Sequence, residues 1–264
     1  MNRAQQPALT AFAMGMIGLG LLALVYGDFA MVWQPVPMFP GRTAVAYASG
    51  AIMFFGGIGL LFQATAASAA RVLFPYLFVW MLLKVPALVV APGMEAVWLG
   101  FGELAVLFAG GWVLFARTAN LRDGSPLSFL ASEKSIYAAR MMFGLWLIPI
   151  GLSHIFYVKA TADLVPAWLP YREGWAYLTG AGQIACGLGV LLSILPRVAA
   201  FTEAAMIGLF TILVWAPKIV AAPKTRLPWT AFFISWAIAS AAWLVAQNVA
   251  AKQHAKQMAA GSQI

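Results

Sequence analysis

Charge is what this chain has least of. Of its 264 residues only 9% are Asp, Glu, Lys or Arg, against roughly 25% in a soluble globular chain. Too few ions are present to coat a water-soluble fold of this size. Acids are the scarcer sign, eight against sixteen bases, giving a net charge of +8. The Lys and Arg stand singly between apolar runs, so no basic patch forms and nucleic acid is excluded as a partner. A single cysteine, Cys186, lies inside an apolar segment, which excludes a Cys-x-x-Cys relay within the chain. Of the two histidines, His254 sits in a polar C-terminal tail on the side opposite His154, so an intrinsic bis-histidine haem is excluded. Glu103, His154 and Glu203 lack the i, i+3 or i, i+4 spacing that puts ligands on one helix face, and no metal site is predicted. No phosphate loop, nucleophile elbow or zinc-peptidase signature falls in any loop, and the loops are too short for a soluble catalytic domain.

What is there is apolar. Hydrophobic residues make up 63% of the chain, in runs of about twenty, the length that crosses a bilayer core as a helix. A window near nineteen residues places helices at roughly 10–28, 44–62, 71–91, 95–116, 136–156, 174–194, 199–221 and 228–250. The expected fold is all-α, polytopic, with about eight transmembrane helices and both termini on one side. The first span has no convincing small-x-small cleavage site and reads as a retained helix. Arg117 to Ser135 is the one polar stretch of any length and reads as a linker between two four-helix halves, 1–134 and 135–264.

A weak internal repeat supports that division. Pro40, Arg42, Tyr47, Gly50, Gly57, Gly59 and Leu61 recur as Pro170, Arg172, Tyr177, Gly180, Gly187, Gly189 and Leu191, at a constant offset of 130. Pro86, Pro92 and Trp98 recur as Pro217, Pro223 and Trp229 at an offset of 131. An even number of spans per half makes the repeat parallel, about an axis along the membrane normal. Arg3, Arg71, Arg117, Arg122, Lys134, Arg140, Arg197, Lys252 and Lys256 fall on the side of the termini, and Arg42, Lys159, Arg172, Lys218, Lys224 and Arg226 on the other. That bias places both termini in the cytoplasm of a bacterial-type inner membrane. The proline loops Trp33–Pro40 and Leu164–Pro170 then lie outside, as interfacial caps.

The strings Ser153-His154-Ile155-Phe156, Leu164-Val165-Pro166-Ala167-Trp168-Leu169-Pro170, Gly180 through Gly189, Arg197 and Trp215-Ala216-Pro217-Lys218 resemble the DoxX-like membrane protein family, with the first half similar to a diverged copy. The resemblance implies four-helix membrane units, here duplicated. It also implies association with redox systems, since the family includes a membrane subunit of a thiosulfate:quinone oxidoreductase and membrane partners of redox-defence enzymes. No catalytic signature carries over. His154 stands where the first half has Asp28, at an offset of 126 that Gly18 and Gly144 share.

Ionisable groups inside apolar spans are costly unless paired, and mark function more often than surface charges do. Lys84 and Glu103 flank the Pro92-Gly93 turn almost equally, so a helical hairpin brings them to similar depth. Their reading is a structural ion pair, or a proton, quinone or substrate site. Asp28 with Arg42, and His154 with Arg172, bracket the two proline loops as outer-rim polar groups. Solvated charge is the default for Asp28, Arg42 and Arg172, whereas His154 reads equally as a structural histidine and as a proton relay or carbonyl donor. Glu203 reads as an acid near the start of its helix, and Gln183 as a helix-to-helix hydrogen bond. Gly15, Gly18, Gly20, Gly56, Gly57, Gly59 and Gly180 to Gly189 form stripes for close helix packing.

Three functions fit these features. One is a membrane subunit or anchor of a redox system, with the lipid bilayer and a redox protein as partners, no intrinsic cofactor, and room for a quinone between helices. A second is a carrier or binding protein for a small apolar molecule, with Lys84 and Glu103 at its midplane. The third is a ligand-free scaffold.

Overall fold

A computed structural model describes residues 6–122 and 124–261, with side chains described through 249. Arg3 and the side chains of Lys252, His254 and Lys256 lie outside the described residues. The chain is all-helical, with no strand among the described residues. Its elements are α1 (Gln6–Tyr26), α2 (Arg42–Leu61), α3 (Gln63–Leu82), α4 (Val85–Val90), α5 (Glu95–Thr118), α6 (Glu133–Phe156), α7 (Val158–Ala162), α8 (Arg172–Leu191), α9 (Pro196–Phe210), α10 (Ala216–Ala221) and α11 (Arg226–Gly261). Counting α3 with α4 and α9 with α10 as single spans, seven helices among the described residues are long and apolar enough to cross a bilayer. The eighth expected span, at 174–194, is α8. It has 20 residues, but Arg172, Glu173, Gln183 and its glycines keep it below the apolarity of the other seven.

Two prolines divide long helices in different ways. Proline removes an N–H and crowds the preceding turn. Ahead of Pro86 the helix stops at Leu82, turns through Leu83 and Lys84, and restarts as α4. Ahead of Pro217 it widens into a π-helical turn, Thr211–Trp215, and continues as α10. A π-turn holds one extra residue inside a continuous helix.

Helix contacts run in matched sets: α1 packs on α2 and α6 on α8, α3 on α5 and α9 on α11, α5 on α6 and α11 on α1, with α5 and α11 touching each other at the centre. Glycines set the close approaches. A Cβ added at Gly50 would meet Ala23 and the Gly20 carbonyl; one at Gly180 would meet His154 and the Gly151 carbonyl. One at Gly59 would lie 2.9 Å from the Ala69 Cβ, and one at Gly189 2.9 Å from the Ala199 Cβ. At the central crossing a Cβ on Gly110 would come within 2.4 Å of the Ala241 Cβ, 131 residues further along the chain. These contacts match α1 with α6 at an offset of 131, so the counterpart of His154 is Ala23. The expected correspondence with Asp28, at 126, is corrected: it rested on Gly18 and Gly144, whose contacts differ, Gly18 facing Phe233 and Gly144 facing Gly187 and Leu191.

The bundle is largely apolar inside and also apolar outside. Phe12, Met16, Leu19, Leu104, Leu107, Phe143 and Leu147 are buried, while Phe55, Val89, Val90, Leu178, Leu192, Ile212 and Val220 are exposed.

Candidate functional site

The first proline loop is anchored inward at its start, while Pro35 and Pro37 to Pro40 stay exposed. It leaves α1 through Gly27, in the left-handed region at φ 59°, and folds inward so that Phe29, Ala30, Trp33 and Gln34 are buried. Gln34 finds polar partners inside. Its carbonyl oxygen accepts from the Ala30 N–H at 3.0 Å, and its amide nitrogen donates to the Tyr76 hydroxyl at 2.9 Å and to the Ser49 hydroxyl at 3.4 Å. Ser49 and Tyr76 bond each other at 2.7 Å. The second loop behaves as expected of a surface segment, with Trp168 and Tyr171 exposed.

Lys84 and Glu103 are brought to this loop rather than directly to each other. The Lys84 ammonium donates to the Val32 carbonyl at 3.0 Å, and the Trp33 indole N–H donates to a Glu103 carboxylate oxygen at 3.2 Å. Two consecutive loop residues thus bridge the pair read from the hairpin, and the two charges still lie close enough to attract each other. The Lys84 position follows from Pro86, which ends α3 and leaves Lys84 in the intervening turn. Neither side chain is among the buried polar groups. Gly100, one turn before Glu103, leaves the ammonium room, with Lys84 Nζ 3.0 Å from where its Cβ would be. Next to Glu103 on α5, Phe101 packs on Trp146 with ring centroids 4.3 Å apart, and Trp98 stacks on the same ring.

Asp28 is not a solvated loop charge. Its two carboxylate oxygens meet Arg42 at 2.5 Å and Arg226 at 2.9 Å, and Arg226 also donates to the Phe29 carbonyl. Arg42 donates to the Val36 carbonyl at 3.1 Å and lies over the Phe29 ring. Partial burial works to raise the Asp28 carboxyl, but the hydrogen bonds from Arg226 and Arg42 outweigh it and hold the group below its usual range. Arg226, at the start of α11, thereby ties the second half to the first loop. Sequence reading counted it only as a loop cation, and a separation of 198 residues from Asp28 leaves no local signal. Arg172, by contrast, is exposed at the start of α8, as a solvated charge would be.

His154 meets the Thr179 hydroxyl through Nδ1 at 2.9 Å, with its ring tilted against Phe210. The Thr179 hydroxyl also lies 2.8 Å from the Trp175 carbonyl and 3.1 Å from the Ala176 carbonyl, the helix acceptors within its reach. Glu203 departs furthest from its reading. α9 begins at Pro196, which puts Glu203 two turns in, beyond the reach of the helix terminus, and it is fully buried. Gln183 donates to it across the α8–α9 contact at 3.4 Å.

A family model described as a domain of unknown function (DUF8561) matches residues 143–241. That range contains His154, Gln183, Glu203 and Arg226, and excludes Asp28, Arg42, Lys84 and Glu103. The chain matches no curated protein and no solved structure.

Proposed function

We propose that this chain is a multi-pass membrane protein of two parallel four-helix units, serving as the membrane subunit or anchor of a redox system and receiving a quinone-class molecule beside Lys84 and Glu103. Seven long apolar helices and an outer face of exposed Val, Leu, Ile and Phe support the membrane reading, because a surface of this kind is stable against lipid and not against water. The matched helix contacts and glycine approaches support the duplication. Residues 1–134 and 135–264 are then the two units, in a bacterial-type inner membrane with both termini cytoplasmic.

The observation that carries the ligand reading is the incomplete pairing of Lys84 and Glu103. Each makes a hydrogen bond to the loop, each is partly accessible, and Lys84 has three donors in all. Hydrogen-bond donors, an acid and the Trp33 indole beside it together fit a ring with carbonyl oxygens on an apolar tail. When bound, such a ring supplies two-electron, two-proton chemistry. Lys84 holds a carbonyl oxygen, Glu103 holds or yields a proton at the oxygen not fixed by Trp33, and the loop seals the site from the outer side. Electrons come from the partner protein, as the resemblance to DoxX-like subunits implies.

The test is purification of the full chain in mild detergent, followed by mass spectrometry of the proteins and small molecules that stay bound. A stoichiometric redox protein with retained quinone, the quinone lost in Lys84→Met and Glu103→Gln, is the expected result. A bundle with neither overturns this reading in favour of a carrier or a scaffold. Uptake of a small apolar molecule that fails in the same variants then identifies the carrier.

A further inference from the structure

The interior of the second half contains an acid that the fold does not need. Contacts align α2 with α8 and the first part of α3 with α9 at an offset of 130: Gly59 meets Ala69 where Gly189 meets Ala199. The offset becomes 131 by Pro86 and Pro217, and the π-turn at Thr211–Trp215 lies in the interval where the extra residue enters. On this alignment Glu203 stands where the first half has Leu73, Gln183 where it has Met53, and Cys186 where it has Gly56. Leu73 and Met53 are buried, and a Cβ on Gly56 would press on the Leu73 side chain, just as Cys186 lies beside Glu203. One half fills this place with ordinary core residues; the other fills it with an amide, a thiol and a carboxyl.

The hydrogen-bond inventory of the pair is incomplete in one specific way. Glu203 and Gln183 are 0% and 1% exposed. The Gln183 amide nitrogen donates to Glu203 Oε1, while Glu203 Oε2 and Gln183 Oε1 are both buried without a partner. A proton on Glu203 would turn one of these two unpartnered acceptors into a donor. No cation takes its place. Among the described residues, the groups facing Glu203 from α8 are Gln183 and Cys186. α11 carries no ionisable residue between Arg226 and Val249. On α9 itself Arg197 lies over Phe201 toward the helix start, and past the π-turn Lys218 lies over Trp215. A buried ionised carboxylate held by one long amide bond is unfavourable, and neutralisation by a proton is the ordinary outcome.

We propose that Glu203, paired with Gln183 between α8 and α9, is a proton-binding site of the second half. One turn along the same face of α8 from Gln183 lies Thr179, bonded to His154, so a second protonatable group stands between the site and the outer end of α6. The site is separate from Lys84 and Glu103 and does not depend on a quinone.

Infrared difference spectra of the full chain in lipid nanodiscs, recorded against pH and in D2O, test this. The wild type should show the carbonyl stretch of a protonated carboxylic acid at neutral pH. That band should shift in D2O, disappear reversibly as pH is raised, be absent in Glu203→Gln and persist in Glu103→Gln. Absence of the band in the wild type, its survival in Glu203→Gln, or a band that neither titrates nor exchanges overturns the proposal. If Glu203→Gln does not accumulate as folded protein, Gln183→Leu carries the test, since it keeps the acid and removes its partner. The band should then move in frequency, and an unmoved band overturns the pairing.

Discussion

Asp28 illustrates how neighbours decide what a residue is. As a loop carboxylate it would be a solvated charge, yet two guanidinium groups from different halves converge on it. With its side chain 34% exposed, the cluster lies between a surface pair worth about 0–1 kcal/mol and a buried pair whose breakage costs about 3–5 kcal/mol. Asp28→Asn should destabilise the chain by about 1–2 kcal/mol, read as a lower thermal midpoint in detergent. Its pH dependence has a defined sign. The folded carboxyl lies below its ordinary value of 3.8, so its contribution is complete above that value and is lost as pH falls through the lower folded value. The gap between wild type and Asp28→Asn should therefore be constant near neutrality and close in acid; a gap that widens in acid contradicts the assignment. Glu203 and Gln183 give the opposite case. Replacing them and Cys186 with the residues of the first half, Gln183→Met and Glu203→Leu with Cys186→Gly to make room as Gly56 does beside Leu73, should cost less stability than Glu203→Leu alone, because no polar group is left buried without a partner. Glu203→Leu alone strands the Gln183 amide and should cost about 1–3 kcal/mol.

Among the elements, the glycines separate packing positions from open ones. Gly110 sits at the α5–α11 crossing, where an added Cβ would come within 2.6 Å of the Ala241 Cα. Backbone cannot swing aside as a side chain does. Gly110→Leu should cost at least about 1–3 kcal/mol and reduce the yield of folded protein by size-exclusion chromatography. Gly100 meets only the flexible end of Lys84. Gly100→Leu should leave the thermal midpoint nearly unchanged while lowering retention of a bound quinone, and equal loss of stability in the two variants would contradict the distinction. Pro86 and Pro217 were legible as residues at matched intervals, but the apolar windows ran helices through both, at 71–91 and 199–221. The breaks they impose, an open turn at Lys84 and a π-turn at Thr211–Trp215, were not, since both relieve the same proline clash and neighbouring helices select between them.

For the whole molecule, the arrangement makes a sidedness prediction. Trp168, 71% exposed in the second proline loop, should lie outside the cell and Arg122, in the linker, inside. Single Trp168→Cys should react with a membrane-impermeant maleimide in intact cells, and Arg122→Cys only after permeabilisation. Cys186 is 5% exposed and should give little background in either case. The reverse labelling pattern would invert the topology while leaving the fold unchanged.

Composition and the spacing of apolar runs determined the all-α architecture by themselves, because a chain with this little charge and runs of this length buries its backbone polar groups most readily within helices. The recurrence of the prolines, of Arg42 with Arg172 and of Trp98 with Trp229 is equally local, carried by residue type and interval. Only the tertiary structure decided which polar groups meet. Trp33 reaches Glu103 across 70 residues and Arg226 reaches Asp28 across 198, while Glu203 moves from a helix start to the buried α8–α9 contact because α9 begins at Pro196. Interval along the chain fixes depth and face on one helix. Which helix lies opposite that face is set by close packing among many apolar surfaces, and no single segment encodes it.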